Sequence, residues 1–164
     1  MIISYNWLSE YLPVVLEPAK LSKILTSIGL EVESLHEYQS VKGGLDGLII
    51  GEILSCEKHP DADKLKITTV NIGGPDPLQI VCGANNVAAG QKVVVATVGS
   101  TLYPSSGEPI RNKKAKVRGT ESYGMICAED EISLGESHAG IMALTSATEV
   151  SKKASEIFKI YSDN

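Results

Sequence analysis

Residues 64–72, with the sequence KLKITTVNI, carry the clearest indication of the fold. Leu65 and the isoleucine two residues later share one side of an extended strand, whereas Val70 and the next isoleucine share the other side. A β-bulge near Thr68 and Thr69 would restore a single inward face and coil the strand, as a small closed barrel requires. The stretch therefore predicts a barrel strand with a bulge at its centre.

Further short strands are predicted on both sides of this stretch. Four segments have the length and the flanking turn residues typical of strands: 48–57, 78–82, 92–98 and 113–117. Segment 92–98, KVVVATV, is apolar on both faces, which predicts the most buried strand. Together the five strands predict a mainly β fold built on a small barrel.

The first 39 residues predict a separate α+β unit. Pro18 can occupy the first turn of a helix whose apolar residues follow helical spacing, and Gly29 is placed to end that helix. A shorter helix is expected within residues 4–12, and the alternation over residues 30–35 favours a strand. The break SVKGGLDG then separates this unit from the barrel strands.

The tail, residues 151–164, returns to helical spacing. Its apolar side chains share one face: Ala154, Ile157, Phe158 and Tyr161. Because so short a helix cannot bury this face alone, we expect it to pack on the first unit. The expected organisation is a five-stranded barrel inserted in a small α+β domain. Its parts are 1–39 as the first half of that domain, 40–150 as the barrel, and 151–164 as the start of a truncated second half.

The charge balance limits the classes of partner. The 164 residues include 15 Lys and Arg against 20 Asp and Glu, giving a formal charge of -5. This balance argues against a general nucleic-acid coat protein but allows a local basic stripe. The sequence starts without the features of a signal peptide, and no apolar run approaches the roughly 20 residues that span a bilayer. We therefore expect a cytoplasmic protein without a membrane partner.

Two polar strings are candidates for a binding site. In HPDADKLK, residues 59–66, a metal site is disfavoured because no further histidine lies nearby, and Pro60 is expected to open a tight helical turn. Lys64 and Lys66 then project from one outward strand face.

Cys56, Cys82 and Cys127 are odd in number and widely spaced, which favours reduced thiols.

The second string, RNKKAKVR, contains cations and no acid: Arg111, Lys113, Lys114, Lys116 and Arg118. On a strand, Ala115 and Val117 would point inward, while Lys114, Lys116 and Arg118 would form an outward row. Such a row suits the phosphates of a nucleic acid, and an ordinary solvated face is the alternative. Ser122 has no neighbouring histidine in the sequence, and no catalytic, cofactor-binding or metal-binding residue is predicted.

Four sequence motifs, which follow one another along the chain, are similar to those of a known family: GEI, HPDADKLK, QIVCGANNV and KVRGTESYGMICAEDEISL. Together they closely resemble the tRNA-binding domain with an oligonucleotide-binding (OB) fold. That domain is shared by a methionyl-tRNA synthetase appendage, the endothelial monocyte-activating polypeptide and free-standing tRNA-binding proteins. The strings ISYNWLSEYL and SIGLEVE resemble the start of the β chain of bacterial phenylalanyl-tRNA synthetases, in which such a domain follows directly.

The resemblance implies a tRNA-binding module of a larger ligase. The family forms a heterotetramer of two α and two β chains, which attaches phenylalanine to its tRNA with ATP and Mg²⁺. The sequence stops at about the point where the family continues its first domain, so we expect a fragment. Because the catalytic centre of the family lies on the α chain, we expect no catalysis by this chain alone. The resemblance also implies tRNA contacts by Asn85, Ser122 and Met125 at the mouth of the barrel. The alternatives are an assembly domain that does not touch tRNA, and a free-standing tRNA-binding or chaperone-like protein.

Overall fold

A computed structural model describes all 164 residues and divides them into two units, Met1–Ser40 with Tyr161–Asn164, and Val41–Ile160. The helices are α1 Tyr5–Ser9, α2 Pro18–Ser27 and α3 Ala154–Ile157, with 3₁₀ turns at Lys42–Leu45 and Asp130–Ile132. The strands are β1 Tyr38–Gln39, β2 Leu48–His59, β3 Ala62–Asn71, β4 Leu78–Cys82, β5 Lys92–Thr97, β6 Thr101–Leu102, β7 Ile110–Arg111, β8 Ala115–Val117, β9 Thr120–Ser122, β10 Gly124–Ile126, β11 Ala143–Leu144 and β12 Ser162–Asp163. No helix is both long enough and apolar enough to cross a membrane.

Five antiparallel strands of the second unit form a nearly closed barrel. Their order is β10, β5, β2, β3 and β4, and β11 adds to β5. The ring closes where residues 121–123 meet β4: the Tyr123 N–H donates to the Gln79 carbonyl at 2.9 Å, and Ser122 Oγ accepts from the Val81 N–H at 3.1 Å. This arrangement confirms the mainly β fold class and the five-stranded, OB-like barrel expected from the sequence.

Strand β5 is the most buried strand, as the sequence predicts. Residues 93–96 have no exposed surface, because both faces of β5 are covered. Val93 and Val95 join the cluster that fills the barrel, together with side chains from β2, β3, β4 and β10. Val94 and Ala96 face a second cluster, which lies outside the ring and includes Ala154 of α3. Apolar residues on both faces of β5 thus connect two layers of core.

The first residues of the tail are hydrogen-bonded to β2 of the barrel unit. The Ile50 N–H donates to the Lys152 carbonyl at 2.9 Å, and the Ser151 N–H donates to the Ile50 carbonyl at 2.8 Å. Ala154 is fully buried in the second cluster, and Phe158 packs beside it. The structure therefore assigns residues 151–160 to the barrel unit, and only Tyr161–Asn164 group with the first unit. This division differs from the sequence expectation, which placed all of 151–164 with the first unit.

The predicted β-bulge exists but lies on the partner strand. Val70 pairs with Ile53 and Thr69 pairs with Ser55, so the extra residue is Leu54 of β2, which is 52% exposed. Strand β3 keeps its alternation because Thr68 is an inward residue, and its hydroxyl donates to the Ile80 carbonyl at 2.8 Å. The prediction of a bulge within β3 was therefore wrong: a hydrogen bond allows a threonine to occupy a buried position.

The fifth barrel strand also differs from the prediction. Segment 113–117 contributes only β8, which pairs with β9 in a hairpin of its own, and β10 takes the fifth position. Ala115, expected to point inward, is exposed. The segment has only Ala115 and Val117 as apolar side chains and neither is buried, whereas Ile126 of β10 is buried among the barrel side chains.

The helical turn expected at Pro60 is a two-residue hairpin turn between β2 and β3. His59 pairs with Ala62 across this turn, and the Asp61 N–H donates to His59 Nδ1 at 3.1 Å. The buried imidazole thus accepts a backbone N–H within the hairpin turn, so this donor is satisfied locally.

The first unit contains both predicted helices. Ser4 Oγ accepts from the Trp7 N–H at 3.0 Å and caps α1, while α2 begins at Pro18. Gly29 has a φ of 93° just after α2, as a helix-ending glycine requires. The strand expected over residues 30–35 does not form, and residues 30–37 have no regular secondary structure. The strand of this unit is β1, which pairs with β12.

Gly124 allows β10 to approach β5 closely, so its replacement by alanine tests the barrel packing. A Cβ there would lie 3.0 Å from the Ala96 carbonyl oxygen and 3.2 Å from Ile80 Cδ1. We expect Gly124→Ala to lower the free energy of unfolding in urea by about 1–3 kcal/mol, and Ile80→Val to recover part of that loss by removing the crowded methyl group. Gly74→Ala is the matched control, since its Cβ would meet nothing closer than 3.9 Å. Equal effects of the two alanines would contradict this account.

Candidate nucleic-acid interface

The hairpin around β8 and β9 concentrates the positive charge of the barrel unit. We call residues 111–123 the basic hairpin; its only carboxylate is Glu121, and its cations are Arg111, Lys113, Lys114, Lys116 and Arg118. Arg118 and Gly119 form the turn, with φ values of 48° and 88°. Arg118 therefore lies at the tip of the hairpin and does not continue the strand row that the sequence predicts for Lys114 and Lys116.

Lys114 is held by two residues of the opposite strand segment. Its Nζ lies 2.9 Å from Glu121 Oε1 and 4.6 Å from the centre of the Tyr123 ring. The Tyr123 hydroxyl donates to the other carboxylate oxygen, Glu121 Oε2. These three side chains form a cluster, which we call the Lys114 cluster, in which an ion pair and a cation–π contact share one ammonium group.

The Lys114 cluster shifts the pKa of both charged members in the direction that keeps them ionised. The pKa of Glu121 is lowered, first by the hydrogen bond from Tyr123 and then by Lys114. The pKa of Lys114 is raised, chiefly by its hydrogen bond to Glu121. The ammonium of Lys114 is therefore charged at neutral pH, and that charge is already engaged by an acid of the same chain.

The other cations of the basic hairpin are exposed and form no ion pair. They are Arg111, Lys113, Lys116 and Arg118. Lys116 lies directly across the ladder from Glu121, and Arg118 follows at the turn. Arg111 belongs to a different ladder, in which β7 pairs with β6. The cations that remain available to a polyanion are thus grouped along β8 and its turn, with Arg111 at the base of the segment.

Lys64 and Lys66 do not form the second outward row that their spacing predicts. Lys64 is exposed, whereas Lys66 is half-buried, and its Nζ donates to the carbonyls of Val87 at 2.8 Å and of Asn85 at 3.3 Å. Lys66 lies on the side of β3 that also contains the buried Thr68. The expectation of a common outward face was therefore wrong, because two loop carbonyls attract the Lys66 ammonium toward the barrel.

The three residues proposed by family resemblance lie in different environments. Asn85 is exposed on the loop that Lys66 holds. Ser122 is only 5% exposed, and its hydroxyl accepts from the Val81 N–H and donates to the Gly124 carbonyl at 3.0 Å. Met125 is half-buried and packs on the second cluster. The geometry gives Ser122 and Met125 structural contacts and leaves the Asn85 side chain exposed.

Sequence reasoning missed Glu121 and Tyr123, although a local signal was present. A two-residue turn at Arg118 and Gly119 places Glu121 opposite Lys116 and within reach of Lys114. The glycine-containing turn therefore predicts the pairing once residues 113–117 are treated as half of a hairpin instead of a barrel strand.

The structure contains no metal-binding cluster, and two of its three cysteine thiols are buried. No three side chains of His, Cys, Asp or Glu lie together in a way that could hold a metal ion. All three thiols are free, and burial raises the pKa of Cys127 to about 12 and also raises that of Cys82. The buried thiols are thus protonated and act as apolar core groups.

A nearly closed barrel of five antiparallel strands places the chain in the class of OB-like folds. Residues 48–153 match the family model described as "Putative tRNA binding domain". The chain belongs to this family of tRNA-binding domains, and the resemblance expected from the sequence is confirmed.

The chain is also similar to named phenylalanine–tRNA ligase beta subunits. It is 56% identical over 163 residues to that of Bacteroides thetaiotaomicron and 55% identical over 163 residues to that of Porphyromonas gingivalis, covering 99% of this chain and 20% of each relative. For Salinibacter ruber the identity is 45% over 156 residues, or 92% of this chain and 18% of the relative. The chain therefore spans about a fifth of the length of these relatives. The C-terminal domain of Plasmodium vivax p43 is a more distant structural match, with a TM-score of 0.37 and 24% identity over 48% of this chain and 43% of that chain.

The bond from Tyr123 to Glu121 can be tested by titration. We expect Tyr123→Phe to raise the pKa of Glu121 toward the ordinary value of a carboxyl group, because the largest cause of its depression is removed. Since the folded pKa is depressed, any stabilisation from this carboxylate is present above its unfolded pKa and is lost as the pH falls through the folded value. The measurement is a carbon-detected NMR titration of the Glu121 carboxyl. Tyr103→Phe is the control, since Tyr103 contacts Lys42 instead; an unchanged Glu121 pKa in Tyr123→Phe would be inconsistent with the bond.

Proposed function

We propose that this chain is the tRNA-binding module of a phenylalanine–tRNA ligase beta subunit and contributes to the attachment of phenylalanine to its tRNA. The observation that carries the proposal is the match of residues 48–153 to the tRNA-binding family. The chain is more than 50% identical, over almost its whole length, to relatives that are named phenylalanine–tRNA ligase beta subunits. This similarity supports phenylalanine as the amino acid that the ligase attaches. The catalytic steps belong to the rest of the ligase, so we expect no aminoacylation by this chain alone.

The proposed contacts are made by the free cations of the basic hairpin. Lys113, Lys116 and Arg118 would bind phosphates along β8 and its turn, with Arg111 and Lys64 as further candidates. Such contacts position a nucleic acid but carry no sequence information of their own. The barrel unit also has few aromatic side chains on which bases could stack: Tyr103, Tyr123 and Phe158, and the last of these packs on the second cluster. Binding should accordingly be weak, poorly selective and strongly dependent on salt.

The proposal includes an arrangement within a longer protein. We infer that residues 1–39 and the chain from Tyr161 onward belong to one α+β domain, which the barrel interrupts; the grouping of Tyr161–Asn164 with Met1–Ser40 supports this inference. The subunit would assemble in the cytoplasm with an α chain, as two α and two β chains, and ATP and Mg²⁺ would act in other parts of that assembly. The name "beta subunit" of the relatives supports a second type of chain.

A tRNA titration of charge-reversal variants tests the basic hairpin. We expect the double variant Lys116→Glu with Arg118→Glu to weaken binding strongly at low salt, and each lost phosphate contact to reduce the slope of log K against log salt by about 0.7–0.9. The matched control is Lys20→Glu with Lys23→Glu on α2, which changes the net charge equally at exposed positions of the first unit. Far-UV circular dichroism should show that both variants remain folded, because exposed substitutions are usually tolerated.

The possible results separate three interpretations. Selective loss in the hairpin variant supports the proposed interface. Equal loss in both variants indicates a general charge effect and contradicts that interface. Absence of tRNA binding by the parent chain at any salt contradicts the tRNA-binding function, and it favours an assembly role for the barrel within the ligase.

A further inference from the structure

The only carboxylate of the basic hairpin lies among the cations that are proposed to bind phosphate. Glu121 of β9 lies directly opposite Lys116 of β8, and its carboxylate forms the ion pair with Lys114 at 2.9 Å. A phosphate that binds Lys114 would therefore meet a negative charge 2.9 Å from the Lys114 ammonium. Electrostatic repulsion at such distances is appreciable even in water, and it weakens as salt is added.

Glu121 is held in this position by more than its ion pair. The Tyr123 hydroxyl donates to Glu121 Oε2, so the second carboxylate oxygen is also fixed. The backbone carbonyl of Glu121 accepts from Gln79 Nε2 at 2.8 Å, and the next residue, Ser122, is buried in the barrel closure. Ordinary surface ion pairs lose most of their attraction to the entropy of ordering two long side chains. Here the carboxylate is ordered by groups that do not involve the lysine.

Lys114 is ordered as well. Its ammonium lies over the Tyr123 ring, so the side chain rests on an aromatic surface while it contacts the carboxylate. A phosphate that recruits Lys114 must either break this ion pair or bind beside an uncompensated Glu121. Both routes reduce the binding free energy that Lys114 could otherwise contribute.

We propose that Glu121 is an internal competitor of nucleic-acid phosphate, which engages Lys114 and thereby lowers the affinity of the basic hairpin for tRNA. The inference rests on the proposed tRNA-binding function and identifies the residue that limits affinity at that site. Glu121 acts through Lys114, so it is a positioning residue and not a tRNA contact. Its effect is to reduce the number of cations that the hairpin offers.

The test is a tRNA titration of Glu121→Gln at low and physiological salt. We expect binding to become roughly three- to tenfold tighter at low salt, with a log–log salt slope steeper by about 0.7–0.9 because one more phosphate contact is made. Glu149→Gln is the matched control: it removes the same charge and also breaks a lysine ion pair, that of Lys152 at 2.7 Å, outside the hairpin. Affinity in this control should stay within about twofold of the parent.

A double-mutant cycle tests whether the effect passes through Lys114. Lys114→Gln alone should weaken binding modestly, because it leaves Glu121 uncompensated but removes no phosphate contact that the parent chain makes. In the Glu121→Gln background the same change should remove most of the gain. Glu121→Thr provides a second variant, since threonine suits an exposed strand position, and it should reproduce the tighter binding if Glu121→Gln fails to fold.

Each result has a defined meaning. If the parent chain binds tRNA and neither Glu121 variant binds more tightly than Glu149→Gln, the inference is wrong while the proposed function stands. If the double variant binds as tightly as Glu121→Gln, Lys114 is not the competed group and the inference is also wrong. If neither the parent nor the Glu121 variants bind tRNA, both proposals fail. Binding by a Glu121 variant alone would support the competitor, while tRNA binding by the parent chain itself would be contradicted.

Discussion

The barrel depends on how residues 121–123 attach to β4. Strands β10 and β4 are the two ends of the strand order, and without this attachment the sheet would have two open edges. One buried hydroxyl is central: Ser122 Oγ accepts from the Val81 N–H and donates to the Gly124 carbonyl, so it joins β4 to the chain that enters β10. The adjacent bond from the Tyr123 N–H to the Gln79 carbonyl completes the closure. These hydrogen bonds join the two ends of the strand order around the nine buried residues within the ring.

The same attachment determines the electrostatics of the basic hairpin. Side chains alternate along an extended chain, so the burial of Ser122 directs Glu121 and Tyr123 to the opposite, solvent side. On that side they meet Lys114, which the β8–β9 turn has brought alongside. Three consecutive residues therefore close the barrel with the middle side chain and engage a lysine with the outer two. Barrel closure and hairpin charge are consequences of one local conformation and would change together.

The sequence predicted the parts of the fold that depend on local apolar patterning. Strands β2, β3, β4 and β5 follow runs long enough to show their periodicity, and Pro18 and Gly29 mark the limits of α2. The sequence did not predict strand β10, because three residues are too few to show a periodic pattern. It also misplaced the bulge, because a hydrogen-bonded threonine can replace an apolar residue inside the barrel. For the candidate site, composition located the cations but not their partners. The ammonium of Lys66 binds carbonyls about twenty residues away in sequence, which no local pattern reveals.

Because some lysines are engaged within the protein, the number of lysines overstates the positive charge that this chain, with a formal charge of -5, offers to a polyanion. Lys66 and Lys114 bind oxygens of the protein itself, so the cations free to meet a polyanion are fewer than the sequence suggests. A module with few phosphate contacts binds weakly alone, yet within a larger ligase a second contact becomes intramolecular, and even weak binding then adds substantially to the total. In the proposed setting a modest affinity is also compatible with turnover, because every charged tRNA must be released. A carboxylate fixed beside the cations limits the affinity without removing the positive surface that attracts the tRNA.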